Sequence, residues 1–138
     1  AANRGASDVG APSIGFNIRL PREQLPNPYS TPDLTFQFHY FAIRKLHLAM
    51  RARALVVFPG GFGTLDELFE LLTLRQSGRL GAVPIILVDE AYWRGLIRWE
   101  ALVEAGMVEP QDLALLQFAE DAETTWQALA EAGVARPT

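Results

Sequence analysis

The sequence predicts an α/β fold with a doubly wound parallel sheet and helices on both faces. Two apolar runs, 54–58 and 83–88, are typical of buried strands, and the segment 64–77 between them carries apolar residues at helical spacing. A strand, a helix and a second strand in this order form a βαβ unit, whose two strands are parallel. A glycine-rich turn joins the first strand to the helix, and in such sheets ligands bind outside the carboxyl ends of the strands.

The segment before this unit contains less regular patterns. Residues 1–6 resemble the end of a helix that Gly5 caps. Residues 13–20 alternate apolar and polar side chains, as a strand does, and 21–32 carries four prolines, which predicts an irregular loop. The remaining elements predicted here are a short strand and a helix, at 34–38 and 39–53.

The segment after the glycine turn is predicted to be mainly helical. Gly78 ends the helix 64–77, and strand 83–88 follows after a short connection. Three further helices complete the chain, at 91–105, 110–117 and 121–133.

Length and composition indicate one domain with a hydrophobic core, residues 1–138. The chain has 138 residues, of which 49% are hydrophobic, and its net charge of −4 predicts no nucleic-acid partner. It has no cysteine, and it lacks an apolar run of the ~20 residues needed to span a bilayer, so a cytoplasmic protein without a membrane partner is expected. Because it begins without Met at a segment that resembles a helix end, we expect an N-terminally incomplete α/β domain.

The most informative segment is 59–67, Pro-Gly-Gly-Phe-Gly-Thr-Leu-Asp-Glu. Backbone N–H groups at a strand-to-helix turn lie near the positive end of a helix dipole, and glycine lets a ligand approach them closely. The turn is therefore predicted to bind a phosphate group. It matches neither G-x-x-x-x-G-K-[ST] nor G-x-G-x-x-G, so neither an Mg-ATP loop nor a dinucleotide site is supported.

A purely structural interpretation of this segment is also open. Thr64 and Glu67 have the spacing of a capping box, in which each side chain would accept from the other residue's N–H. The basic residues Arg44 and Lys45 could balance the charge of a phosphate or pair with Glu67, or they could belong to a solvated basic face. The only two histidines, His39 and His47, are too scattered for a metal site.

With this motif, preceded by Arg44, Lys45 and Met50, the chain resembles the "lonely guy" (LOG) family, whose members long carried the name lysine decarboxylase. The family motif P-G-G-x-G-T-x-x-E is matched at every fixed position. A first strand and a glycine-rich loop precede the matching region in the family and are absent from this sequence. The longer bacterial branch is the more similar one, because of the segment 21–41.

The resemblance implies a Rossmann-like fold and hydrolysis of the N-glycosidic bond of nucleoside 5′-monophosphates, such as AMP or cytokinin ribotides. The products are a free base and ribose 5-phosphate, and no cofactor is needed. The resemblance also implies a homodimer or a higher homo-oligomer. Helix 39–53 could supply its interface, but the apolar stripe of this helix is equally compatible with a place in the core. The implied catalytic residues are Glu67 and Arg44, and the implied nucleotide-binding residues are Gly60, Gly61, Gly63, Thr64, Lys45 and Met50.

Two other functions are weighed against this one. A non-catalytic nucleotide or molybdenum-cofactor carrier could use the same scaffold, but the presence of both Glu67 and Arg44 favours an enzyme. A lysine decarboxylase usually needs a lysine that forms a Schiff base with pyridoxal phosphate. Lys45 is the only lysine of the chain, and it lies in the Arg-Lys pair rather than in a cofactor site.

Overall fold

The computed structural model describes residues 1–19, 25 and 27–134. The chain divides into two compact units, Ala1–Arg51 and Ala52–Thr138. The predicted loop 21–32 lies partly outside the described residues, as does the end of the predicted strand 13–20. The single domain 1–138 stays a prediction.

The first unit contains a small parallel sheet with a helix packed against it. Its two strands pair in register, Gly15 with Thr35 and Ile18 with Phe38. The last helix of the unit packs against both strands. The elements of this unit are α1 (Ala2–Asp8), β1 (Gly15–Ile18), a 3₁₀ turn (Pro32–Leu34), β2 (Thr35–Phe38) and α2 (Phe41–Met50).

The second unit contains a three-stranded parallel sheet and most of the helices. Its elements are β3 (Leu55–Val57), α3 (Phe62–Gln76), β4 (Ile85–Val88), α4 (Glu90–Leu96), α5 (Trp99–Glu104), a 3₁₀ segment (Pro110–Leu115), β5 (Leu116–Ala119) and α6 (Ala122–Glu131). The strand order is β3-β4-β5, and both pairings are parallel. Helix α6 packs against β4 and β5, whereas α3 and α5 contact the 3₁₀ segment. Parallel strands linked through helices confirm the predicted α/β class.

The core of this unit surrounds β4. The strand lies between β3 and β5, and Ile85, Ile86 and Leu87 are completely buried. Trp93 is also completely buried, and its indole N–H donates to the Val88 carbonyl at 2.9 Å. Burial of such side chains contributes roughly 1.5–3 kcal/mol each. The burial of β4 and the contact of Trp93 with Val88 therefore hold the carboxyl end of β4 in place.

Several element boundaries differ from the predicted ones. Helix α1 continues past 1–6 to Asp8, so Gly5 lies inside the helix and the prediction that it caps the helix is wrong. The left-handed backbone after this helix occurs at Gly10, with φ of 69°. Helix α3 begins at Phe62 rather than at Thr64, because the glycine turn already supplies an extended N-cap at Gly61.

The predicted helix 91–105 is wrong as a single element. It is two helices, α4 and α5, separated by an extended Ile97 with φ of −130°. Trp93 and Trp99 would lie about 120° apart around one straight helix. The break lets both indole rings enter the core, where they are 0% and 3% exposed.

The predicted helix 110–117 is also wrong in part. Residues Pro110–Leu115 form a 3₁₀ segment, and the chain then enters β5, which the sequence pattern did not indicate. Four residues give too short an alternation to identify a strand. This strand exists because its backbone pairs with β4, a tertiary effect that outweighs local propensity.

Candidate functional site

The turn between β3 and α3 presents several backbone N–H groups at the start of a helix. The Gly61 carbonyl accepts from the N–H groups of Thr64 and Leu65, each at 3.0 Å. Within the described part of the chain, the N–H groups of Gly61, Phe62 and Gly63 donate to no backbone carbonyl. These three residues are exposed. The first N–H groups of a helix point toward an external acceptor near the positive end of its dipole, so the turn can hold an anion.

The structure does not contain the predicted capping box. Gly61 is the N-cap of α3, no side chain accepts a hydrogen bond at this cap, and Thr64 is already the third residue of the helix. The Thr64 side chain instead occupies the space into which a Cβ atom on Gly60 would project. The Thr64 N–H, which was expected to donate to the phosphate, donates to the Gly61 carbonyl instead. The Phe62 N–H donates to no backbone carbonyl, and Phe62 is exposed, so this N–H can take its place.

Three of the expected site residues line one cavity. This cavity has a volume of about 320 Å³ and lies between β3, the turn and the first two turns of α3. Gly63, Thr64 and Glu67 form the helix side of its lining, and Glu67 is half-buried. Gly63 and Glu67 are four residues apart, so they share one face of α3, with Glu67 one turn further along. A carboxylate thus lies in the same cavity as the N-terminal turn of the helix.

Tyr92, which lies in α4 just after β4, contacts the glycine turn. Its hydroxyl donates to the Gly60 carbonyl at 2.8 Å. The Tyr92 N–H donates to Oδ1 of Asp89 at 3.0 Å, and Asp89 has left-handed backbone angles, φ of 72° and ψ of 79°. The sequence interpretation missed both residues. The signal that could identify them is their position just after β4, whose carboxyl end lies at the same sheet edge as that of β3.

The other expected site residues belong to the first compact unit. Arg44 and Lys45 are half-buried on α2, and the Arg44 guanidinium lies 5.6 Å from the ring centre of Phe41. Met50 is the last residue of α2 and is 64% exposed. A pairing of Arg44 with Glu67 stays a prediction.

The described residues contain no group of three or more histidine, cysteine, aspartate or glutamate side chains that could hold a metal ion. Across the same part of the chain, every helix is too short or too polar to span a membrane.

The chain is similar to one family of proteins and to several single proteins. A family model described as "Possible lysine decarboxylase" matches residues 1–129. A cytokinin riboside 5′-monophosphate phosphoribohydrolase of Arabidopsis thaliana is 31% identical over 112 residues, 78% of this chain and 50% of that protein. A protein of the same name from Mycobacterium tuberculosis is 36% identical over 91 residues, 63% of this chain and 47% of that protein.

The chain spans about half the length of these two phosphoribohydrolases. A fungal relative, the bifunctional cytokinin biosynthesis protein of Fusarium pseudograminearum, is 38% identical over 65 residues, 46% of this chain and 13% of that protein. The family match includes both compact units and the whole of the glycine turn. The chain therefore belongs to the "lonely guy" family, whose family model still carries the description of a possible lysine decarboxylase.

Proposed function

We propose that this chain hydrolyses the N-glycosidic bond of a nucleoside 5′-monophosphate, of the AMP or cytokinin-ribotide type, to a free base and ribose 5-phosphate. The observation that carries the proposal is the cavity shared by Glu67, Gly63 and Thr64. It combines an anion-binding helix start with a carboxylate one turn away. The relatives named as phosphoribohydrolases support the same reaction.

The cavity suggests how the substrate is held. The 5′-phosphate accepts hydrogen bonds from the N–H groups at the start of α3, with the Thr64 hydroxyl beside them. The ribose then extends along the helix toward Glu67, about 6 Å further along the axis at 1.5 Å per residue. Fixing the phosphate in this way places the anomeric carbon next to the carboxylate and removes most of the orientational freedom of the sugar.

Glu67 acts on the charge that develops during bond cleavage. Breaking an N-glycosidic bond gives the ribose ring oxocarbenium character, as in glycoside hydrolysis. A carboxylate held in the cavity stabilises that positive charge, or holds the ribose hydroxyls and the attacking water. Water is the only co-substrate of this reaction, so we propose it without a metal or an organic cofactor.

The resemblance to the family implies roles for three residues of α2 as well. Arg44 orients Glu67 and the ligand, Lys45 balances the charge of the phosphate, and Met50 contacts the nucleotide. The match of this sequence to the family motif supports these roles. Their test is the loss of nucleotide turnover in single alanine variants of the three residues.

The main alternative is a non-catalytic carrier of a nucleotide or of the molybdenum cofactor. A carrier needs the anion-binding turn but gains nothing from a carboxylate placed beside a bound phosphate ester. A lysine decarboxylase is less well supported, because Lys45 is the only lysine and belongs to α2, away from the glycine turn in sequence.

The deciding experiment is incubation of the full-length protein with AMP, other nucleoside 5′-monophosphates and cytokinin ribotides. Free base is followed by chromatography, and ribose 5-phosphate by a coupled assay. Release of both products in equal amounts supports the hydrolase. Binding of a nucleotide without release of either product would instead support the carrier.

We also propose that the protein is a cytoplasmic homodimer or higher homo-oligomer. Nucleoside 5′-monophosphates are intracellular metabolites, which supports the location. Several large apolar side chains are exposed on α2, and exposed apolar surface is typical of an interaction site. These residues are Phe41, Ile43, Leu46, Leu48 and Met50. Light scattering of the purified protein gives the oligomer size.

A further inference from the structure

The structure contains a link between Tyr92 and the glycine turn that the family motif does not include. We propose that Tyr92 is a positioning residue, which holds the Gly60 carbonyl so that the Gly61 N–H faces the phosphate of the substrate. This inference rests on the proposed function. It assigns a task in phosphate binding to a residue outside the Pro59–Glu67 motif.

The peptide unit between Gly60 and Gly61 has a fixed geometry. The Gly60 carbonyl and the Gly61 N–H belong to the same planar peptide, and no cis peptide bond occurs among the described residues. In a trans peptide the C=O and N–H bonds point in opposite directions. The hydrogen bond of 2.8 Å from the Tyr92 hydroxyl to the Gly60 carbonyl therefore also sets the direction of the Gly61 N–H.

The orientation of this peptide unit is not fixed by the glycines themselves. It joins two glycines, and glycine adopts backbone angles that other residues avoid, so rotation of the whole unit costs little. A rotated unit would present a carbonyl oxygen to the ligand, and an oxygen repels a phosphate. An external hydrogen bond to the Gly60 carbonyl is the kind of contact that selects the productive orientation.

Tyr92 is itself held in place by neighbouring residues. Its N–H donates to Asp89, a non-glycine residue in the left-handed region. Few residues other than glycine adopt such backbone angles; aspartate is among those that tolerate them, and they often occur at functional sites. The Tyr92 ring also stands at 88° to the ring of the buried Trp93, with 5.1 Å between their centres. The hydroxyl is thus anchored through its own backbone to the end of β4.

The experiment compares Tyr92→Phe with Tyr29→Phe in the full-length protein. Each variant loses one phenolic oxygen and keeps its ring, and Tyr29 lies in the other compact unit. Turnover of AMP is inhibited with ribose 5-phosphate, which carries the phosphate, and with adenosine, which lacks it. Because one hydrogen bond is lost, we expect Tyr92→Phe to raise the inhibition constant of ribose 5-phosphate roughly three- to tenfold.

The expected pattern is specific to the phosphate. The inhibition constant of adenosine changes less than about twofold in Tyr92→Phe, and KM for AMP rises more than kcat falls. Tyr29→Phe matches the wild type in all of these measurements. A merely structural contribution of the hydroxyl would weaken both inhibitors alike, and that result overturns the inference. The inference is also overturned if the two variants have the same inhibition constants for ribose 5-phosphate. In either case, turnover of AMP by the wild type still supports the proposed function.

A second measurement does not depend on catalysis. Ribose 5-phosphate is titrated into ¹⁵N-labelled protein, and the Gly61 amide signal is followed. We expect it to shift in the wild type and in Tyr29→Phe, and to shift less at the same concentration in Tyr92→Phe. A Gly61 amide that does not respond in the wild type overturns the inference. Absence of turnover with every nucleotide, despite a responding amide, contradicts only the proposed hydrolysis.

Discussion

The Thr64 side chain lies so close to Gly60 that no residue with a Cβ atom fits in place of Gly60. A Cβ atom on Gly60 would lie 2.2 Å from Oγ1 and 2.9 Å from Cβ of Thr64. Gly60→Ala therefore forces the turn apart, and overpacking of this kind typically costs about 1–3 kcal/mol. We expect urea denaturation to show a loss of that size, together with weaker nucleotide binding.

Gly63 provides the matched control for this contact. A Cβ atom there meets nothing within 4 Å, and alanine is the better helix former, so Gly63→Ala should leave stability unchanged or raise it by up to about 1 kcal/mol. In the Gly60→Ala background, Thr64→Ala removes the nearest atom and should recover part of the loss. If the changes in the free energy of unfolding of the two substitutions were strictly additive, the two residues would not be in contact.

Glu67→Gln should abolish release of free base while the protein remains folded. The amide keeps the size of the side chain but loses the negative charge that the developing oxocarbenium ion requires. Removal of such a group lowers kcat by about 10²–10⁴. The control is Asp66→Asn, which makes the same charge change at the exposed neighbouring position. Unchanged turnover in Glu67→Gln would rule out the assigned role.

Trp93→Phe should destabilise the second unit. The substitution removes the indole N–H that donates to Val88 and leaves a buried carbonyl without its donor, at a cost of about 1–3 kcal/mol before the lost packing is added. Trp126 is 54% exposed, so Trp126→Phe should change the free energy of unfolding by less than about 0.5 kcal/mol. Similar losses in the two variants would show that the Trp93 hydrogen bond contributes little.

The start of α6 should make stability depend on pH. Asp121 accepts from the N–H and from the hydroxyl of Thr124, both at 2.8 Å, and the backbone hydrogen bond is the main cause of the lowered pKa of Asp121. A pKa lower in the folded than in the unfolded state stabilises the fold above the ordinary aspartate pKa of about 3.9, and this contribution is lost as the pH falls through the folded pKa.

Urea titrations at several pH values test this contribution. Asp121→Ala should be less stable than the wild type at pH 7, and the difference should shrink in acid. Glu120→Ala removes the adjacent carboxylate but keeps the cap, so its effect at pH 7 should be smaller. A deficit of Asp121→Ala that stays constant from neutral to acidic pH contradicts the assignment.

The βαβ unit was predictable because its pattern is contained within the sequence. Two apolar runs and one amphipathic segment specify β3, α3 and β4, and the observed pairing of Leu55 with Ile85 follows from their parallel arrangement. The start of α3 was missed by two residues, because Phe62 and Gly63 are weak helix formers. Strand β5 was missed because pairing with β4, rather than its own four residues, determines it.

The site was predictable from the sequence only where its residues are close together along the chain. The motif predicted a cluster at the glycine turn, and Gly63, Thr64 and Glu67 do line one cavity. Tyr92 was not foreseen, because its contact with Gly60 spans 32 positions and depends on two strands lying side by side. The nucleotide roles of Arg44, Lys45 and Met50 remain predictions that rest on the family motif.

The parallel sheet of the second unit has a consequence for the order of folding. Leu55 pairs with Ile85, and Ile85 pairs with Leu116, so each strand pairing joins residues about thirty positions apart. Contacts between such distant residues form slowly, because a long loop must close before any pairing is gained. The link from Tyr92 to Gly60 connects the chain segments that follow β4 and β3. The glycine turn can therefore take its final shape only after β3 and β4 have joined, so the phosphate binding proposed for it should be among the last properties that the chain acquires as it folds.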